Sequence, residues 1–119
     1  MEEYKSLGAQ FAKWRAVITI GDNIPSSACI VANAHALARY ASICQEVDIV
    51  PIVEPEVFMG GSHNINKCFT VTNEAQNILF EALDKLDVNL SGIILKPNMV
   101  TSGSSCEKQA GAEEIAELT

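Results

Sequence analysis

The chain has 119 residues, 48 % hydrophobic and 19 % charged, which fits one small domain and excludes a disordered or fibrous composition. Fifteen acidic residues against eight basic give a net charge of −7. That balance argues against nucleic acid or an anionic membrane as partner, since both select basic surfaces.

The four cysteines, Cys29, Cys44, Cys68 and Cys106, form no C-x-x-C pair and do not cluster with His35 or His63. Neither a zinc site nor a disulfide framework is indicated, and free thiols in a reducing compartment are the expectation. Met1 is followed by two glutamates rather than by a basic, then apolar, leader. No apolar run approaches the roughly 20 residues that a membrane helix needs, so a cytoplasmic location is expected.

In chain order, residues 1–10 are polar and short, the end of a helix leading into Phe11. Phe11 to Ile20 reads as a strand of β-branched and aromatic residues, with Lys13 and Arg15 on one face by period-2 alternation. The rest of this run is too apolar for a sheet open to water. Gly21 to Pro25 is a turn. Ser26 or Ser27 caps a helix whose stripe is Ile30, Ala34, Leu37, Ala41 and Cys44, leaving His35 and Arg39 exposed.

Ile49 to Val53 is a second buried strand, closed by Glu54-Pro55-Glu56, whose two carboxylates share one face. Phe58 to Asn66 is a glycine-rich loop without the spacing of a phosphate loop. Asn73, with Gln76 three residues on, is the expected cap of a second helix with Ala75, Leu79, Ala82 and Leu86 as its stripe. Asp87 to Ser91 is a return loop. Gly92 to Leu95 reads as a strand buried on both faces, ended by Lys96 and stopped by Pro97, which has no N–H to donate. A lysine closing such a strand either carries its charge out to water along its apolar stem or sits where low dielectric favours the neutral amine, the form that attacks carbonyls. Asn98 to Ser105 is a polar loop, and a further helix begins at Glu107.

Strands alternating with helices predict a parallel sheet with right-handed crossovers, whose strand ends share one edge. The charged positions 13, 54 and 96 recur at intervals of 41 and 42 residues. Lys13, Arg15, Glu54, Glu56 and Lys96 are therefore expected to converge as a site for carbonyl chemistry on an anionic substrate.

The motifs F-A-K-W-R (11–15), A-L-A-R-Y-A-S-I-C-Q (36–45), V-P-I-V-E-P-E (50–56) and L-K-P-N-M-V (95–100) closely resemble class I fructose-bisphosphate aldolase. The resemblance runs from about Tyr4 to Cys106. It implies about three of the eight parallel strands, with intervening helices, of a (β/α)8 TIM barrel. It also implies reversible cleavage of fructose 1,6-bisphosphate to dihydroxyacetone phosphate and glyceraldehyde 3-phosphate, in glycolysis and gluconeogenesis, without metal or cofactor.

By the same resemblance, Lys96 matches the Schiff-base lysine and Glu54 the carboxylate that moves protons during imine formation. Lys13 matches a lysine that helps to hold substrate hydroxyls, Glu56 is its carboxylate neighbour, and Arg15 matches an arginine implicated in phosphate binding. The family is usually a homotetramer. A barrel of eight strands needs about 250 residues, so residues 1–119 are expected to be a central segment, weakly active or inactive alone. A non-catalytic interaction or scaffold segment is the alternative, disfavoured because all five site residues remain.

Overall fold

A computed structural model describes all 119 residues. A short helix, α1 (Glu2–Ser6), leads into β1 (Phe11–Ile18), and the long helix α2 (Ser27–Glu46) returns the chain to β2 (Val50–Val57). Helix α3 (Ile65–Lys85) and a single 3-10 turn (Leu90–Gly92) precede the two-residue strand β3 (Ile94–Leu95), and α4 (Ala112–Leu118) follows. The sheet has the order β1-β2-β3 and is parallel throughout. β1 and β2 pair over their full length, from Phe11 opposite Val50 to Ile18 opposite Val57. β3 adds Ile94 opposite Ile52 and Leu95 opposite Val53.

Each strand presents alternate residues to opposite faces. Ala16 and Ile18 of β1 and Val53 and Val57 of β2 turn toward the helices and are buried. One core forms where Leu37, Ala41 and Cys44 of α2 meet Leu79 and Leu83 of α3 over Val53. A second, nearer the carboxyl ends of the strands, joins Ile18, Ile30, Val57, Ile65, Val71, Ala75 and Val100. The α2 stripe lies wholly inside these cores, and His35 and Arg39 are exposed as expected. Ser26 is the cap, its Oγ accepting from the Cys29 N–H at 3.1 Å.

Four expectations need correction. Helix α3 starts at Ile65 rather than near Asn73. The Asn64 side chain accepts from the Lys67 N–H at 2.9 Å and so meets an orphan donor of the first turn. Leu86 falls just past the end of α3, where it is exposed, and Leu83 takes its place in the core.

β3 is not buried on both faces. Leu95 packs against the first core while Ile94 is 51 % exposed, because the helices cover only one side of the sheet. The last helix begins at Ala112, not Glu107, after a loop in which Gln109 Nε2 donates to the carbonyls of Gly103 and Cys106.

The loops that follow β2 and β3 are laced together by backbone bonds. Gly103 N–H donates to His63 O (2.8 Å), Ser104 N–H to Met59 O (2.8 Å) and Ser105 N–H to Gly61 O (2.9 Å). The approach is so close that a Cβ on Gly103 would lie 2.2 Å from Gly61 O. His63 is held beside this seam with both ring nitrogens buried and without partners, and burial pushes its imidazole below the usual histidine range. No helix is long and apolar enough to cross a membrane.

Candidate active site

The face of the sheet not covered by helices carries the odd-numbered residues of β1 and the even-numbered residues of β2. Lys13 and Arg15 therefore share it with Glu54 and Glu56, and the parallel register places Arg15 opposite Glu54. Continuing the β2–β3 register from Val53 opposite Leu95 puts Glu54 beside Lys96, on the same face. All five charged residues expected from the sequence come together.

They do so along the open face rather than only at the strand ends. β1 runs three residues past Arg15, and both carboxylates lie within β2, not beyond it. β2 continues through Glu54-Pro55-Glu56 because its even-numbered N–H groups are the ones that donate to β1. Val50 N–H donates to Gln10 O, and Phe58 N–H donates to Ile18 O. Pro55 lacks an N–H on the other side, so the β1 ladder passes it intact.

Glu54 is the hub. Its side chain is 2 % exposed, while those of Lys13 and Lys96 are 50 % and 55 % exposed. Lys96 Nζ donates to Glu54 Oε1 at 2.5 Å. Lys13 Nζ stands 3.1 Å from Oε2 but off the hydrogen-bond direction, so Oε2 is buried without a donor. A hydrogen bond from Lys96, aided by the charge of Lys13, holds the Glu54 carboxyl below the usual carboxylate range against the opposing effect of burial.

The expected desolvation of Lys96 is not found, since more than half of its side chain meets solvent. What surrounds it is a buried carboxylate, not an apolar pocket.

Arg15 and Glu56 form a second pair, Nε to Oε2 at 2.5 Å. That bond lowers the Glu56 carboxyl and holds Arg15 still more firmly protonated. Three cations against two carboxylates leave the cluster net positive in a chain of net charge −7, the local balance an anionic ligand needs. No group of three His, Cys, Asp or Glu side chains comes together that could hold a metal ion.

Behind the charges, Trp14 and Tyr40 pack with ring centroids 5.5 Å apart, fixing β1 against α2. One participant escaped sequence reasoning. Asn98 sits just past Lys96 with its side chain bonded to β2 and α3. The usable signal was Pro55, which deletes a ladder donor beside Lys96 and leaves the next one to be met by a side chain.

Comparison with known proteins follows the same lines. The family model described as fructose-bisphosphate aldolase class-I matches residues 1–119. A protein of Xanthomonas axonopodis pv. citri named "Probable fructose-bisphosphate aldolase class 1" is 60 % identical over all of this chain and 36 % of its own length. Human fructose-bisphosphate aldolase B is 50 % identical over 98 % of this chain and 32 % of its own.

Among solved structures, fructose-bisphosphate aldolase from Plasmodium falciparum, determined in complex with TRAP and a small-molecule inhibitor, superposes with a TM-score of 0.94 at 44 % identity. That match covers 99 % of this chain and 35 % of that one. The chain thus spans about a third of the length of these relatives. Its three parallel strands are part of a TIM barrel.

Proposed function

The chain belongs to the class I fructose-bisphosphate aldolase family, and from that premise we propose that residues 13–96 form the Schiff-base half of a fructose 1,6-bisphosphate cleavage site. The observation that carries the proposal is the contact of Lys96 Nζ with the buried Glu54 carboxylate at 2.5 Å, with Lys13 on the other oxygen.

The chemistry can be followed atom by atom. An ammonium has no lone pair, so Lys96 must lose a proton before it attacks, and Glu54 Oε1 is in hydrogen-bond reach to take it. The freed lone pair adds to the substrate ketone carbon, giving a carbinolamine. Its hydroxyl leaves as water after receiving the proton that Glu54 holds, and the nitrogen becomes an iminium. The Glu54 carboxylate, free again once water has left, takes the proton of the β-hydroxyl. That carbon leaves as an aldehyde, and the pair of the bond between the α- and β-carbons passes to the iminium, leaving an enamine.

Lys13 supplies a cation beside the substrate hydroxyls. Arg15, oriented by Glu56, supplies one for a phosphate, and its planar fork suits that group. For the whole protein, the same reading gives dihydroxyacetone phosphate and glyceraldehyde 3-phosphate as products. It extends to glycolysis and gluconeogenesis in the cytoplasm, and to a homotetramer, by family analogy. Residues 1–119 are a central segment on this reading, weakly active or inactive in full turnover.

Dehydration of the carbinolamine to the iminium, followed by its rehydration, exchanges the ketone oxygen with water, so the half-site has its own assay. Oxygen-18 loss from labelled dihydroxyacetone phosphate is expected to be faster with the chain than without it, slower in Glu54→Gln, and at background in Lys96→Met. Background exchange with the unsubstituted chain, or acceleration that survives in Lys96→Met, would overturn the reading.

A further inference from the structure

We propose that Asn98 is a positioning residue whose side chain replaces the missing rung of the β2–β3 ladder and thereby holds Lys96 against Glu54. The inference rests on reading Lys96 and Glu54 as the reacting pair, and it names the group that sets their distance.

Along β2, the even-numbered N–H groups face β1, as the bonds from Val50 and Phe58 show. The odd-numbered positions Val53, Pro55 and Val57 therefore face β3. Lys96 N–H donates to Val53 O at 2.9 Å, and no backbone bond between β2 and the chain after Lys96 follows it. The next donor facing β3 would come from position 55, but proline has none. The ladder stops directly beside the lysine, at the point where its side chain leaves the sheet.

Val57 N–H is the donor that this break strands. Val57 is only 4 % exposed, so an unmet N–H there would carry a desolvation penalty. Asn98 Oδ1 accepts it at 3.0 Å. The other end of the amide is equally committed, with Nδ2 donating to Thr72 Oγ1 at 3.1 Å and to Met99 O at 3.0 Å. Thr72 is a buried residue of α3. The acceptor on one side and the two acceptor partners on the other fix which way the amide points.

One side chain thus joins the end of β2, the middle of α3 and the segment that carries Lys96. The consequence is geometric. Within residues 1–119 the Lys96 side chain is more than half exposed, so its position depends on the groups that hold its backbone. Its backbone is pinned on one side by the Val53 carbonyl and on the other by Pro97 and Asn98. Without the Asn98 bonds, the second constraint is lost and Nζ samples positions away from the carboxylate. A small misplacement of a reacting group costs rate even when folding survives.

The test substitutes Asn98→Ala, with Thr72→Val as a second variant that removes only one acceptor and keeps the Val57 bond. Three readouts are taken on the 119-residue chain. Exchange of the Val57 amide proton is expected to speed up about tenfold in Asn98→Ala, the loss of one hydrogen bond. The Glu54 carboxyl, followed by carbon-13 NMR, is expected to titrate at higher pH as the Lys96 donor drifts. Lys96-dependent oxygen-18 exchange is expected to fall about tenfold, with Thr72→Val intermediate in the last two.

Faster Val57 exchange with unchanged Glu54 titration and unchanged oxygen exchange would show that Asn98 only stitches the loop, and would overturn the proposal. If the unsubstituted chain exchanges no oxygen, the functional reading falls. The Glu54 titration then decides the positioning role alone, supporting it if the midpoint rises in both variants and overturning it if neither moves.

Discussion

Removing Lys96 should destabilise this fold more than removing the carboxylate it contacts. The asymmetry follows from burial. In Lys96→Met, Glu54 stays 2 % exposed and keeps only Lys13, which approaches off the hydrogen-bond direction. Losing a hydrogen bond to a charged, buried group costs about 1.5–3 kcal/mol. In Glu54→Gln the orphans are the two lysines, each about half in water, which rehydrate by a change of rotamer. The expected cost is about 0–1 kcal/mol.

The double variant should be less destabilised than Lys96→Met alone, because a neutral amide replaces the abandoned carboxylate. Urea unfolding at pH 7 reads this directly. A chain of this size unfolds with a slope of about 1–3 kcal/mol per molar, so Lys96→Met should lower the midpoint by about 1 M and Glu54→Gln by far less. Equal losses from the two single variants, or strictly additive losses in the double variant, would refute the asymmetry.

Other expectations are open to the same measurement. The folded-state carboxyls of Glu54 and Glu56 lie below their unfolded values of about 4.3, so the unfolded chain binds more protons in that window. Their contribution is fully present above about pH 4.3 and is lost as pH falls through the folded values. The urea midpoint should therefore drop on acidification below about pH 4.3, and less steeply in an Arg15→Met/Glu56→Gln variant.

Asn64→Ala should cost about 1 kcal/mol as a lost helix cap. Asn73→Ala, at an exposed position inside α3, should stabilise by up to about 0.5 kcal/mol through helix propensity. Equal effects would contradict the observed start of α3. Gly103→Ala places a Cβ 2.2 Å from Gly61 O, and should cost 2 kcal/mol or more, about the upper range for overpacking. Leu79→Ala, at a residue with no exposure between α2 and α3, should cost about 2–5 kcal/mol in thermal unfolding.

What the sequence revealed and what it hid divide along physical lines. The α2 stripe was legible because five apolar residues at helical spacing have one way to be buried. The five charged residues were legible because period-2 alternation and parallel pairing together dictate which side chains share a face. The start of α3 was missed because Asn64 and Asn73 are both good caps. Only the packing of Ile65, Cys68 and Val71 into the second core favours the earlier one.

β3 was read as buried on both faces from Ile93, Ile94 and Leu95, but apolar character does not say whether a second layer covers a strand. In this structure Ile94 and Val17 face away from the helices and are exposed. The environment of Lys96 was misjudged for the same reason. The tether by Asn98 depends on which amide of β2 lacks a partner, and that is known only once the register is known.

On the proposed reading, Lys96 is a carbonyl nucleophile assembled by its own three strands. Reduction with borohydride in the presence of dihydroxyacetone phosphate, followed by peptide mapping, tests this most directly. One stable adduct is expected on the peptide containing Lys96, absent in Lys96→Met and reduced in yield in Glu54→Gln. An adduct on Lys13 instead, or none on the intact chain under conditions in which it is folded, would contradict it.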